Sequence, residues 1–330
     1  MRLTCISIIF YLVSNSVLSQ EFSDKTIDSV PTTPFYLDLT DKLTFKLLAE
    51  HRENAYNISD TNNLNATHFI PNDALTIGLG FNYKFIGISA TFIPISAKYE
   101  LKYGKTQKLD LQANFYTKEF GFDIRLDYYK GFYVGNPDNF HSSAPINNQL
   151  KRSDIRSLSV GTDLFYIFNS DEFSFRNTLT NNEWQKKSAG SFYTGLRFSY
   201  FSMEGDTILG PVGIMDSLNP DAFVNKINAY SAGVFGGYAY TLVIAKNYFI
   251  SAAIAPTINV VGGNETKTDG RTLNLENIGR LGYTIRGGVG YNSERYFAGV
   301  SVFMDQTNLS FANIEHNRQL YRFYIGTRIF

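Results

Sequence analysis

From Ala74 to the C-terminus, apolar and polar residues alternate with a period of two. In the run Ala74-Leu75-Thr76-Ile77-Gly78-Leu79-Gly80-Phe81-Asn82-Tyr83 the odd positions are apolar or aromatic and the even ones small or polar. Successive side chains of a strand point to opposite faces, so each such segment has one apolar face and one wet face. The pattern predicts strands at about 74–84, 86–96, 106–116, 120–134, 154–168, 172–181, 190–203, 229–243, 247–261, 279–292, 295–307 and 317–330. Residues 43–50 (LTFKLLAE) are a candidate for one more at the start. Strands of globular sheets average ~5–6 residues, whereas a tilted membrane-crossing strand needs ~9–11. The segments are of the longer kind. They predict an all-β fold, a transmembrane antiparallel β-barrel of about 12 strands, with 14 as the alternative.

Short turns are expected at 84–87, 117–119, 169–172, 245–247 and 291–294, and long polar loops at 51–73, 135–153, 204–228 and 262–278. Short turns on one rim and long loops on the other are the habit of outer-membrane barrels. One conflict stands. With a strand at 172–181, the turns at 169–172 and 245–247 fall on opposite rims, so either one strand is miscounted or a long loop lies on the turn side.

The alternation also sorts the charges. Leu109, Leu111, Ala113 and Phe115 share one face, and Lys108, Asp110, Gln112 and Asn114 the other. Phe122, Ile124 and Leu126 alternate with Asp123, Arg125 and Asp127, and Leu281, Tyr283 and Ile285 with Arg280, Thr284 and Arg286. A charge on the lipid face at the bilayer midplane costs ~2–4 kcal/mol, which assigns the charged set to the lumen. The candidate lumen network is Asp110, Asp123, Arg125, Asp127, Arg197, Arg280 and Arg286. On lumen parity overall, Asp110, Asp123, Asp127 and Asp163 face Lys108, Arg125, Arg197, Arg280, Arg286, Arg318, Arg322 and Arg328. Two readings follow: ion pairs that fill a narrow barrel, or a basic pore lining that favours anions. Pairing is the stronger of the two, because a buried charge must be matched before it can serve anything else.

Composition narrows the class. The chain has 330 residues, 44% hydrophobic and 15% aromatic, with 22 Tyr and 28 Phe, which suits a barrel with aromatic girdles. A mean hydropathy of −0.16, and no mature run near the ~20 apolar residues a spanning helix needs, exclude a helical membrane protein. A formal charge of zero with no charged tail gives nucleic-acid binding no support.

The N-terminus has the parts of a signal peptide: Arg2, the apolar core 5–13 (CISIIFYLV), and Val17-Leu18-Ser19 before an expected cut that leaves Gln20 first. Cys5, the sole cysteine, lies in that core without a lipobox, so the mature chain has no thiol and no disulfide. The expected organisation is 1–19 signal peptide, 20–42 periplasmic lead-in and 43–330 barrel, in a bacterial outer membrane. The expected partners are outer-membrane lipid, an envelope partner of unknown identity, and the barrel-assembly machinery through the C-terminal Phe330. That Phe shares parity with Arg322 and Arg328 rather than with Tyr321, Phe323, Ile325 and Ile329.

Several runs carry a family likeness. They are Phe173-Ser174-Phe175-Arg176, the segment Asn182-Glu183-Trp184-Gln185-Lys186-Lys187-Ser188-Ala189-Gly190-Ser191, Gly237–Ile244, and Gly290-Tyr291-Asn292-Ser293-Glu294-Arg295. Upstream stand Pro71-Asn72, Gly104-Lys105-Thr106 and Tyr129-Lys130-Gly131-Phe132-Tyr133. Together they resemble the domain-of-unknown-function 4421 family of Bacteroidota over about residues 40–330. The resemblance implies an exported barrel and no particular reaction.

The run from Asn182 to Ser191 reads either as an anionic-headgroup or partner site built on Lys186 and Lys187, or as a loop or bulge that re-aims the chain with Trp184 at the interface. Small residues such as Ser188 and Gly190 suit close backbone approach and favour the second. A barrel-embedded lipid hydrolase or acyltransferase is the alternative function. It would need a nucleophile–base set, and the four histidines (His51, His68, His141, His316) fall in expected loops or strand ends. His141-Ser142-Ser143 is the nearest approach, without a third orienting group. No cofactor or metal is expected. The sequence therefore points to a non-enzymatic barrel, a narrow channel or an envelope scaffold.

Overall fold

The computed structural model describes residues 34–58, 67–72, 75–94, 103–135, 151–209, 224–309 and 314–329. The strands are β1 (Tyr36–Asp38), β2 (Leu43–Ile58), β3 (Thr67–Ile70), β4 (Thr76–Tyr83), β5 (Ile86–Pro94), β6 (Gln107–Tyr116), β7 (Phe120–Val134) and β8 (Lys151–Ile167). After the single-turn helix α1 (Arg176–Leu179) come β9 (Glu183–Gln185), β10 (Ala189–Glu204), β11 (Val224–Ile244), β12 (Tyr248–Lys267), β13 (Thr272–Asn292), β14 (Tyr296–Leu309) and β15 (Ile314–Ile329).

Twelve of these strands close into an antiparallel barrel in the order β2-β4-β5-β6-β7-β8-β10-β11-β12-β13-β14-β15. The last strand returns to the first in an unbroken register from Ile314↔Ile58 to Ile329↔Leu43. Every wall strand thus has a hydrogen-bonded neighbour on each side, the condition for a sheet to stand in hydrocarbon. The outward face carries the apolar half of the alternation. Leu109, Leu164, Ile254, Ile258, Leu281, Val289 and Phe323 are all exposed, Leu281 by 69%. Such a belt has no place in water and is the lipid-facing surface. Near the turns it becomes aromatic: Phe192 meets Tyr238 at 4.9 Å and Tyr248 meets Tyr291 at 5.4 Å.

The two rims differ. Tight turns at 84–85, 117–119, 245–247 and 293–295 share a rim with the start of β2 and the end of β15. The parity conflict disappears because 172–181 is not a strand. Phe173 and Phe175 alternate with polar neighbours as in a strand, yet both are buried inside the barrel, and the segment turns through α1. Two stretches expected as loops are strand instead. Within 51–73, residues 51–58 complete β2 and 67–70 form β3, and 262–278 belong largely to a β12–β13 hairpin that turns at 268–271. Both are polar because one face looks into the lumen or because the strands run past the bilayer. The signal peptide, His141 and Phe330 lie outside the described residues.

Toward the loop rim, β3 takes over part of the wall. It pairs with β2 at Tyr56↔Phe69 and with β7 at Phe69↔Val134, bypassing the shorter β4, β5 and β6. Asn72 fastens the junction, its Nδ2 donating to the Gly104 carbonyl at 2.7 Å and its N–H to Thr106 Oγ1 at 2.8 Å. Thr106 Oγ1 in turn donates to the Gly131 carbonyl at 2.7 Å. Gly131 sits at a β7 bulge with φ +93°, where a Cβ would lie 2.3 Å from the Lys105 carbonyl oxygen. The upstream family-like runs therefore build one junction.

Candidate functional site

The lumen is occupied at successive levels. At the turn rim, residues 168–188 fold inward between β8 and β10 as a plug. Phe175 packs on Phe165 at 5.3 Å and edge-on to Tyr193 at 5.0 Å, with Phe173 against it at 5.4 Å. Ser174 Oγ accepts the Asn177 N–H at 2.9 Å, starting the turn of α1, and donates to Glu183 Oε2 at 2.5 Å. Arg176 reaches Glu183 Oε1 at 2.8 Å and also donates to the Tyr116 carbonyl on the wall. Burial pushes the Glu183 carboxyl above its ordinary range, against the opposite pull of Arg176.

The run from Asn182 to Ser188 is the body of this plug, and Ala189 and Gly190 open the wall strand β10. Glu183, Trp184 and Gln185 form β9, which pairs with β1 at Asp38, Leu37 and Tyr36. Asn182 Nδ2 donates to the Lys84 carbonyl at 3.0 Å. Gln185 Oε1 accepts the Ser174 N–H at 2.8 Å, and its Nε2 donates to the Glu172 and Lys187 carbonyls at 2.6 and 3.0 Å. Lys186 lies over the Trp184 ring and Lys187 over Phe35. Ser188 Oγ accepts the Val243 N–H at 3.0 Å. At Gly190 a Cβ would come within 2.3 Å of the Tyr238 hydroxyl. The downstream run joins the same node: Asn292 Nδ2 donates to Asn177 Oδ1 at 2.8 Å and to the Glu183 carbonyl at 3.0 Å.

Above the plug stand two tiers of charge. In the first, Asp163 accepts from Arg125 at 2.9 Å and Arg197 at 2.7 Å, Arg197 also reaches Asp305 at 2.7 Å, and Arg286 donates to Asp123 at 3.0 Å. Nearer the loops, Glu50 accepts from Arg52 at 2.9 Å and Arg322 at 2.5 Å. Asp127 lies 3.7 Å from Arg52 and 3.6 Å from Arg318, and Asp110 lies 4.0 Å from Arg52 and accepts the Tyr129 hydroxyl at 2.6 Å. Each tier sets three guanidinium groups against three carboxylates. The Phe303 ring lies between them, with Arg125, Arg286 and Arg318 over it at 5.2–5.9 Å.

Of the sequence candidates, the structure brings Asp110, Asp123, Arg125, Asp127, Arg197 and Arg286 into these tiers. Arg280 stands apart. It is in register with Asn259 on lumen parity, and its Nε is buried without a hydrogen-bond partner. Glu50, Arg52 and Asp305 complete the balance and were absent from the sequence count. Arg328, counted there as lining, instead donates to the Asn181 carbonyl of the plug at 3.0 Å. A cavity of about 50 Å³ remains between the plug and the charged tiers, lined by Asn114, Asp123, Thr178 and Arg286 and reaching Arg318 and Arg322 of the second tier. Toward the loop rim the lumen ends in an apolar layer containing Tyr56, Phe69, Phe132, Phe201 and Met203.

For chemistry the described residues offer little. His51 is bonded to Glu53 on the exposed side of β2 and stacks on Tyr321. No group of three or more His, Cys, Asp or Glu among the described residues could hold a metal ion.

Outer-membrane barrels of solved structure are similar to this chain in fold only. The protease OmpT of Escherichia coli is 10% identical with a TM-score of 0.41, the match covering 88% of this chain and 98% of that one. The monoaromatic hydrocarbon channel CymD is 9% identical, TM-score 0.32, covering 88% and 89%. The Pseudomonas putida toluene transporter TodX is 9% identical, TM-score 0.29, covering 88% and 90%. No curated protein sequence matches the chain. The sequence profile described as "Domain of unknown function (DUF4421)" matches residues 28–328. With most of its length under that match, this closed twelve-stranded barrel belongs to the DUF4421 family.

Proposed function

We propose that the protein is an outer-membrane barrel, exported by a signal peptide cut after Ser19, that serves as a closed envelope scaffold rather than an open pore. One observation carries this reading: plug, paired charges and apolar layer occupy the lumen in series. Each charge tier also balances within itself, which opposes the reading of these arginines as a basic lining for anions. With the short turns in the periplasm, β1 and the plug face that compartment and the loops face outward.

Planar-bilayer recording of the purified protein tests the proposal. Folded protein, recognised by a shift in gel mobility on boiling, is expected to give no discrete conductance steps. Regular steps from such a preparation would refute the scaffold reading in favour of a channel.

A further inference from the structure

On the lipid-facing wall, β8, β10, β11 and β12 present successive rungs of outward side chains whose chemistry changes toward the loop rim. The first rung is apolar, with Phe198 in register with Ala232 and Ala232 with Val260. In the second, the Tyr200 and Tyr230 rings stack at 6.1 Å and 24°. The third is amide and hydroxyl. Asn228 Oδ1 accepts Ser202 Oγ at 2.9 Å and the Tyr200 hydroxyl at 3.2 Å, and Asn228 Nδ2 donates to Asn264 at 2.9 Å. The fourth is charged: Glu204 lies 2.9 Å from Arg156 and 3.3 Å from Lys226.

Small residues at Ala232 and Gly262 leave a trough of about 530 Å³ at the first two rungs. That falls within the ~300–1,000 Å³ of ordinary ligand sites. Rungs two residues apart are separated by ~6.6–6.8 Å, so the far end of the trough lies ~20 Å along the strands from the cations. With a strand tilt of ~35–45° this is ~15 Å of depth, about half the ~30 Å hydrocarbon core. A molecule reaching from trough to cations therefore spans one leaflet. Glu204, with Asp206 near Arg156, faces Arg156, Lys226 and, in register on β7, Lys130, which leaves the outer rung a net positive charge. The side chains of Arg156 and Lys226 are 51% and 39% exposed, and a guanidinium has five donors to share.

We infer that this stripe is a binding site for a phosphate-bearing lipid of the loop-side leaflet. Its acyl chain fills the trough, the amide rung bonds its ester or sugar oxygens, and its phosphate sits on Arg156 and Lys226. Guanidinium is suited to phosphate through paired hydrogen bonds. A second copy of the chain is the poorer occupant, because a two-fold contact would bring the positive rung against itself. The site rests on the membrane placement proposed above.

Native mass spectrometry of delipidated protein in non-ionic detergent tests it, with diphosphoryl lipid A and uncharged galactosyl diacylglycerol as probes. Lipid A is expected to bind about tenfold more tightly than the uncharged lipid. The double substitution Arg156→Gln, Lys226→Gln should erase that preference, and Ala232→Phe, which fills the trough, should weaken both probes. Each variant should keep its heat-dependent gel mobility, which separates lost binding from a lost barrel. Equal lipid A affinity in wild type and the double variant would overturn the site, as would a dimer that carries no lipid. A wild type without heat-dependent mobility would overturn the membrane placement and the site with it.

Discussion

Replacing Asp163 by Asn removes one negative charge from a position with no exposure to water. In the native barrel its carboxylate holds Arg125 at 2.9 Å and Arg197 at 2.7 Å, with Arg286 at 3.8 Å. After the change, three guanidinium groups share Asp123 and Asp305, and Arg125 loses its ion-pair partner. An uncompensated buried charge costs about 3–5 kcal/mol. The expected loss of unfolding free energy is of that size, measured by urea unfolding in lipid vesicles with circular dichroism. Lys118→Ala, which breaks an exposed pair with Asp171 at the turn rim, should cost less than about 1 kcal/mol. Adding Arg125→Met to Asp163→Asn should restore much of the loss, since removing both members of a buried pair is often near neutral. A single variant within about 1 kcal/mol of wild type, or a double variant no better than the single, would refute the view that these charges are matched out of reach of water.

Trp184 is the only tryptophan and lies in the plug, so its fluorescence should report plug release at lower urea than the loss of barrel dichroism. Coincident transitions would show that plug and wall are one unit. The plug transition should also depend on pH. A carboxyl such as Glu183, raised above its unfolded value of 4.5, makes its full contribution to stability below 4.5 and loses it as pH rises through the folded pKa. The Trp184 midpoint should therefore fall as pH rises above 4.5 in wild type and stay constant in Glu183→Gln. Gly131→Ala forces a side chain into a left-handed backbone against the Lys105 carbonyl. It should destabilise the barrel by more than about 1 kcal/mol, and an unchanged melting temperature would contradict the close approach at the β3 junction.

The barrel was legible because lipid and lumen impose opposite chemistry on alternate residues. The alternation yields twelve strands through two compensating errors: it offers 43–50 only as a candidate and counts 172–181 as a strand. Phe173 and Phe175 carry strand-like alternation, but what buries them is a plug, and periodicity does not say which apolar surface a ring will meet. The balance of lumen charge was hidden for a similar reason. β14 is apolar on both faces, with Val300, Val302 and Met304 opposite Phe297 and Phe303, so the parity of Asp305 could not be read. Glu50 fell at the end of the expected strand because its neighbours Arg52 and Asn54 are polar, although both are buried in the lumen. The plug's hydrogen bonds join residues more than a hundred positions apart, as Asn177 and Asn292 do, and no local pattern foretells such a meeting.

The plug also bears on how the cylinder finds its stagger. Six wall strands precede it and six follow, so it hangs from the midpoint of the chain while the closing seam joins the two extremities. A seam of alternating residues could slip by two places and still keep its apolar face outward. Such a slip would alter the shear on which diameter and tilt depend. Two adjacent carbonyls of the plug oppose it. Thr180 accepts Lys46 from the first strand and Asn82 from its neighbour, while Asn181 accepts Arg328 from the last. Only one alignment of first and last strand lets both be met together. The same segment that blocks the bore thus acts as a gauge for circumference, measuring the two ends of the wall against a common mark as they come together.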